Sequence, residues 1–351
     1  MSTNPITLRV AAVVQETPEA VSIAFEQNLE YTAGQFLTII APIGGHEVRR
    51  AYSLCSAPSS TDKPTIAVKT VPNGLMSNFL AKNLKAGDTL LSLPAMGNFA
   101  LKAETAAKRH IVLVGAGSGI TPLFAILKEV LQNEPNSYVS LVYGNRTEES
   151  IMFYEQLKQW QASYPTRLRV VHTLTQPPAQ WSGAKGRIST ELMDELLYQL
   201  APAMPVQSTE YFMCGPQEMM DTVQNLLASK SVAKANVHRE SFFSSIDEAA
   251  KQAAVEEQGI ITRTVTVIYD GETHAFEVQP DQTILEAALD KDIDLPYSCQ
   301  SGLCTACRGK CKSGKVHLDE REGLSDNELN AGYVLTCVSH PLTADVVIEI
   351  G

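Results

Sequence analysis

Short apolar runs rich in β-branched residues fill the N-terminal stretch: TLRVAAVV, AVSIAF, QFLTIIAPI, PTIAVKTV and TLLSLPA, each closed off by Gly, Pro or Asn. Several short strands at such spacing predict a small antiparallel β-barrel over residues 1–104. From Arg109 the rhythm lengthens. Near-continuous apolar runs HIVLVGAG, YVSLVYGN, RLRVVHTL and EYFMCG alternate with helically spaced PLFAILKEVLQ and QEMMDTVQNLLASK. Strands apolar on both faces and joined by helices predict an open parallel sheet, an α/β domain over residues 105–244. Residues 245–262 break the pattern: SIDEAAKQAAVEEQG is rich in Ala, Glu and Gln and poor in large apolar residues, as a linker is. Residues 263–351 open on TRTVTVIYDGETHAFEV, with alternation on either side of Asp270-Gly271, the mark of a two-residue hairpin. A helically spaced QTILEAALDK, a cysteine-rich loop and strand-like VLTCVS and DVVIEI complete a small α+β domain. Three domains suit a chain of 351 residues, too long for one ordinary core.

The cysteines turn that outline into chemistry. Cys299, Cys304 and Cys307 follow the spacing C-x4-C-x2-C, and Cys337 stands after a long gap, which is the plant-type [2Fe–2S] pattern. Three thiolates in one tight loop, PYSCQSGLCTACRGKC, would curl around a small cluster while the fourth arrives from a distant strand. A zinc site would ordinarily show two C-x2-C pairs, and only Cys304/Cys307 is one. Cys311 extends the run but lacks a following proline and a second C-x2-C, so it reads as a non-ligand thiol. Cys55 and Cys214 stand far apart along the chain and fit no such pattern. Cluster thiolates need a reducing compartment. With no apolar leader in MSTNPITLRV and no membrane-length apolar stretch, a cytoplasmic protein away from membranes is expected.

One further loop carries a signal. Gly115-Ala-Gly117-Ser-Gly119-Ile-Thr121-Pro122 stands where a strand ends and a helix begins, a place where backbone N–H groups can meet a pyrophosphate. It departs from G-x-G-x-x-G, which would put glycine at Ile120. Upstream lies Arg50-Ala51-Tyr52-Ser53 and downstream Cys214-Gly215-Pro216. These three motifs in this order resemble the ferredoxin–NADP reductase superfamily, and residues 263–351 resemble a plant-type ferredoxin of β-grasp fold. The whole chain is similar to the reductase components of multicomponent oxygenases, including the phenylacetyl-CoA epoxidase reductases, which share the domain order and a YGNR segment.

That resemblance implies roles. The barrel would bind FAD. Arg50 would pair with the flavin pyrophosphate, for which a guanidinium fork is suited. Tyr52, next to Ala51, would pack on the isoalloxazine, and Ser53 would donate a hydrogen bond near flavin N5. Val68, Lys69 and Thr70 would line the flavin. Gly74, Met76 and Ser77 would open a helix whose amides face the diphosphate. In the nicotinamide domain Gly115, Gly117, Ser118, Gly119 and Thr121 would hold the coenzyme pyrophosphate. Cys214, with Gly215 and Pro216, would sit beside nicotinamide C4, and Glu240 would close the same site. Ser53, Cys214 and Glu240 form the implied catalytic set, although none needs to move a proton: hydride transfer is the cofactors' reaction, and the protein orients them. FAD is expected over FMN, which the phthalate dioxygenase reductases use with the same domain order.

Coenzyme choice rests on Asn145 and Arg146, at the end of the second parallel strand, where Arg146 would meet a ribose 2′-phosphate. NADH-using relatives tend to carry an aspartate where this chain has Ser150, so NADPH is expected. Charge narrows the partners. The net is −11, and from Arg263 onward 15 acidic residues face 7 basic ones, which argues against nucleic acid and suits a basic protein partner. The expected partner is a di-iron or Rieske-type oxygenase. The competing readings are a reductase for another acceptor, such as a desaturase or a hybrid-cluster protein, and a non-catalytic interaction module stapled by zinc.

Overall fold

The computed structural model describes residues 4–72, 74–200, 209–242, 261–280, 282–300, 302–319 and 323–351. Most of the stretch read as a linker, 245–260, lies outside them. The chain forms two compact units, one holding two six-stranded sheets and the other a five-stranded and a two-stranded sheet.

The first sheet joins β1 (Ile6–Thr17), β2 (Ala20–Phe25), β3 (Phe36–Ile43), β4 (His46–Ser53), β5 (Thr65–Lys69) and β6 (Thr89–Ser92) in the order β4-β3-β6-β1-β2-β5. An antiparallel bridge from Leu54 to Ile66 ties its two edges together and closes the barrel. Closure removes the exposed edges that short antiparallel strands otherwise leave. Leu8, Val10, Ile23, Leu37, Ile39, Leu54, Ile66 and Val68 fill the interior, and Met76 and Leu80 of helix α1 (Leu75–Asn83) plug one end.

The second sheet is all parallel: β7 (His110–Ala116), β8 (Tyr138–Asn145), β9 (Leu168–Leu174), β10 (Ala184–Lys185), β11 (Glu210–Cys214) and β12 (Val237–Glu240), in the order β10-β9-β8-β7-β11-β12. The near-continuous apolar runs have a simple cause. Successive residues of β7 serve two cores, Ile111 and Leu113 on one face, Val112 and Val114 on the other. Helices α2 (Ile120–Asn133) and α3 (Tyr154–Ser163) cover the first face; α4 (Thr190–Leu200) and α5 (Gln217–Ser229) cover the second. Helix α2 is buried on almost every side because it also packs against barrel residues Ala33, Cys55, Phe99 and Leu101. Glu129 fixes that seam by accepting from Ser59 Oγ at 2.7 Å and Ser59 N at 3.3 Å. The crossover from barrel to sheet is pinned by Glu134, wholly buried, which accepts from Glu104 N and from the Arg109 guanidinium. Neither tie has a sequence motif.

In the second unit, β13 (Arg263–Tyr269) and β14 (Glu272–Val278) make the hairpin about Asp270 and Gly271, both at positive φ (50° and 79°), as a type I′ turn requires. The sheet continues through β15 (Arg308–Ser313), β17 (Tyr333–Leu335) and β19 (Val347–Ile350) in the order β14-β13-β19-β15-β17. Strands β16 (Val316–Leu318) and β18 (Ser339–Pro341) pair separately. Helix α6 (Ile284–Leu289) packs its Ile284, Leu285 and Ala288 against Val265, Val267 and Ile348, and a capping box between Thr283 and Glu286 starts it. Helix α7 (Asp326–Asn330) begins at a second box, Ser325 with Glu328.

Candidate functional site

Open parallel sheets leave a crevice past their C-terminal strand ends where the strand order reverses. Here the reversal falls at β7, with β8 on one side and β11 on the other. The loop at that point is a 3₁₀ turn, Gly117–Gly119, leading directly into α2. Gly117 has φ 55°, a conformation cheap only for glycine, and open space where a Cβ would stand. Gly119 is the opposite case: a Cβ there would lie 2.0 Å from the carbonyl oxygen of Cys214. The loop and the end of β11 touch backbone to backbone, and only glycine permits it. A Cβ on Gly115 would meet Leu123 Cδ1 at 2.8 Å. Thr121 is buried, and its hydroxyl donates to the Ser118 carbonyl at 3.0 Å.

Cys214 is fully buried, in register between Gly115 of β7 and Glu240 of β12. Glu240 is itself buried, and Gly215 and Pro216 carry the chain into α5. Asn145 ends β8 with a buried side chain whose Nδ2 finds no hydrogen-bond partner among the described residues. Arg146 is exposed. Ser150 is committed to its own turn: its hydroxyl donates to Thr147 O at 2.7 Å and accepts from Thr147 N at 3.0 Å.

In the barrel, Arg50, Ala51, Tyr52 and Ser53 follow one another along β4. Arg50 is half-buried, with Nη1 donating to Arg49 O at 2.7 Å, and the Tyr52 ring packs on the barrel core. Ser53 Oγ is buried with no hydrogen-bond partner among the described residues. A hydroxyl stranded in this way costs about 1–3 kcal/mol, so a polar ring edge beside it, such as a flavin supplies, fits the pocket. Val68 is buried in β5; Lys69 Nζ lies 3.6 Å from Glu19, and Thr70 donates to Glu19 O through both N and Oγ1. Gly74 caps α1 without a side-chain bond, and a Cβ on it would strike Val71 Cγ2 at 2.3 Å and Ser77 Oγ at 2.6 Å. Met76 and Ser77 are buried, and the first turn holds no acidic residue. That helix start is therefore left positive, which fits a diphosphate.

The four cysteines of the pattern come together as two pairs. Cys307 Sγ lies 3.2 Å from Cys337 Sγ, and Cys304 hydrogen-bonds Cys299. Gln300 and Gly302 both take positive φ (53° and 71°), which winds the loop between the first two. The thiol of Cys307 is held below its usual range by its hydrogen bond with Cys337, while pairing and burial push Cys337 and Cys304 up. Four thiolates cannot all ionise at this spacing unless cations offset them. Among the described residues no three Cys, His, Asp or Glu side chains converge on one ion position. Two pairs suit two bridged irons better than one tetrahedral zinc. Cys311 stands apart on β15, its Sγ donating to Ser313 O at 3.1 Å.

Comparison with known proteins agrees with this layout. The oxidoreductase FAD-binding domain family matches residues 20–100, the oxidoreductase NAD-binding domain family residues 113–225, and the 2Fe-2S iron–sulfur cluster binding domain family residues 267–342. The ferredoxin reductase component of 3-ketosteroid-9-alpha-monooxygenase from Rhodococcus rhodochrous is 39% identical over 98% of this chain and 96% of its own. One of the subunits of 1,2-phenylacetyl-CoA epoxidase from Escherichia coli is 34% identical over 97% and 96%. The solved structure of phthalate dioxygenase reductase shares the fold at a TM-score of 0.70, with 23% identity, over 99% of this chain and 98% of its own. Those matches replace the zinc-stapled module with a redox protein. The chain belongs to the ferredoxin–NADP reductase family, as an NAD(P)H-dependent oxidoreductase that carries FAD and a C-terminal [2Fe–2S] domain.

Proposed function

We propose that the protein carries electrons from NADPH through FAD, bound by residues 1–104, and a [2Fe–2S] cluster, bound by residues 263–351, to a di-iron or Rieske-type oxygenase in the cytoplasm. When bound, FAD would supply the conversion of a hydride into single electrons, and the cluster would supply one-electron storage. The chain's own residues orient: Gly117, Ser118 and Gly119 hold the coenzyme diphosphate, Cys214 and Glu240 flank the nicotinamide, Arg50 and Tyr52 hold the flavin, and Ser53 bonds its ring edge. The observation that carries this reading is the backbone contact of Gly119 with Cys214, which brings the diphosphate loop and the nicotinamide strand end to one point. The oxygenase assignment draws on relatives named as oxygenase components, and the cytoplasm on the thiolates' need for reducing surroundings. No helix among the described residues is long and apolar enough to cross a membrane.

Two experiments bear on these roles. Ser53→Ala should slow flavin reduction about two- to tenfold, the worth of one hydrogen bond, without loosening FAD. Unchanged reduction rates would remove Ser53 from the flavin edge. For coenzyme choice, Arg146→Ala should weaken NADPH by about ten- to a hundredfold while NADH changes little, since a charge-assisted pair contributes about 1.5–3 kcal/mol. Equal losses for both would mean the arginine touches the part the two coenzymes share. NADH is the second reading, favoured by Glu149, exposed on the 3₁₀ turn that follows Arg146 and repelling toward a 2′-phosphate.

A further inference from the structure

Two carbonyls of the 115–121 loop, those of Gly117 and Ser118, are turned inward. Gly117 O accepts from Ile120 N, and Ser118 O accepts from Ile120 N and from Thr121 Oγ1. One more donor comes from outside the loop. The Tyr143 hydroxyl, on the neighbouring strand β8, donates to Gly117 O at 2.9 Å. Tyr143 is fully buried and stands in register beside Gly115, its ring tilted 51° against His172 at 5.8 Å. Burial pushes its phenol well above the ordinary value, so the hydroxyl stays protonated and stays a donor at any working pH.

A peptide group is planar and trans, so its C=O and N–H point in opposite directions. Drawing the Gly117 carbonyl inward turns the Ser118 amide outward, and drawing the Ser118 carbonyl inward does the same for Gly119. Those two amides are what the loop offers an anion. Gly117, with φ 55° and no side chain to hold it, is set by what its carbonyl accepts: the Ile120 amide from within the loop and the Tyr143 hydroxyl from β8. We propose that Tyr143 is a positioning residue for coenzyme binding: its hydroxyl, through Gly117 O, sets the peptide orientation that presents the Ser118 and Gly119 amides to the nicotinamide coenzyme's diphosphate. This rests on the reading of the loop as the diphosphate site. Because the diphosphate is common to both coenzymes, Tyr143 acts on both alike, unlike Arg146.

The test is calorimetric binding of NADP⁺ and NAD⁺ to the oxidised holoprotein, wild type against Tyr143→Phe, with steady-state rates and thermal unfolding alongside. Phenylalanine keeps the ring and its packing and removes only the hydroxyl. Expected is a rise of about three- to tenfold in Kd for both nucleotides, the size of one hydrogen bond. The rise in KM should match, with kcat within about twofold and flavin and cluster spectra and the unfolding temperature unchanged. Unchanged Kd values would overturn the proposal. So would a rise confined to one nucleotide, or a rise accompanied by a lower unfolding temperature and altered flavin absorbance, which would mark a packing role. Wild-type protein that binds neither nucleotide would sink the diphosphate reading of the loop and this inference with it, whereas equal binding by wild type and variant sinks the inference alone.

Discussion

Serine in place of Cys299, Cys304, Cys307 or Cys337 is expected to abolish the visible absorption of the cluster, while Cys311→Ser leaves it intact. The pairing explains why each of the four matters. Cys299 with Cys304 and Cys307 with Cys337 form two close thiol pairs, which would give one pair to each iron, so losing any sulfur would remove a ligand. Cys311 turns away to bond Ser313 O and has no share in either pair. The flavin is bound by another domain, so each cluster-less variant should still reduce ferricyanide with NADPH at close to the wild-type rate. Delivery to an obligate one-electron acceptor downstream should fall to background. Loss of the cluster in Cys311→Ser, with retention in Cys337→Ser, would show that the ligand set is wrong.

Gly119→Ala is expected to lower kcat/KM for NADPH and NADH alike by on the order of a hundredfold, with flavin and cluster spectra unchanged. The added Cβ would meet backbone, Cys214 O at 2.0 Å and Cys214 C at 2.5 Å, so no side chain can swing aside to admit it. Either α2 or the end of β11 must move by about an ångström, and displacements of that size cost about a hundredfold in rate when reacting groups must align. Direct reduction by dithionite, which bypasses the coenzyme, should be unaffected. Wild-type kcat/KM in this variant would mean the loop and Cys214 are not held together in the working protein.

Much of this was readable in the sequence, for physical reasons that differ from place to place. The parallel sheet showed itself because its strands are buried on both faces, and β7 cannot feed two cores without a continuous apolar run. The hairpin at Asp270-Gly271 showed itself because only a few residues tolerate two successive positive φ values. The cluster loop was legible because ligand chemistry fixes both residue type and spacing. What stayed hidden depends on partners far apart in sequence. Glu134 and Arg109, or Glu129 and Ser59, look like ordinary surface charges and hydroxyls until the fold brings them together. Tyr143 reads as one more apolar position in a strand, and only the register of β8 beside β7 reveals what its hydroxyl reaches. Gly119 was legible as one glycine of a tight strand-to-helix turn, but its contact with Cys214 required the order of β7 and β11 in the sheet.

In this protein one chain passes electrons from a nicotinamide coenzyme through a flavin to an iron–sulfur cluster. Anaerobic addition of NADPH to the purified protein, followed by electron paramagnetic resonance and preceded by iron, labile-sulfide and flavin analysis, tests this transfer most directly. The expected composition is one FAD, two irons and two sulfides per chain. NADPH should bleach the flavin and raise the paramagnetic signal of a reduced [2Fe–2S] centre, and NADH should do so at higher concentration. Stoichiometric zinc without labile sulfide, or a flavin that bleaches while the cluster stays oxidised in the presence of excess coenzyme, would contradict the account.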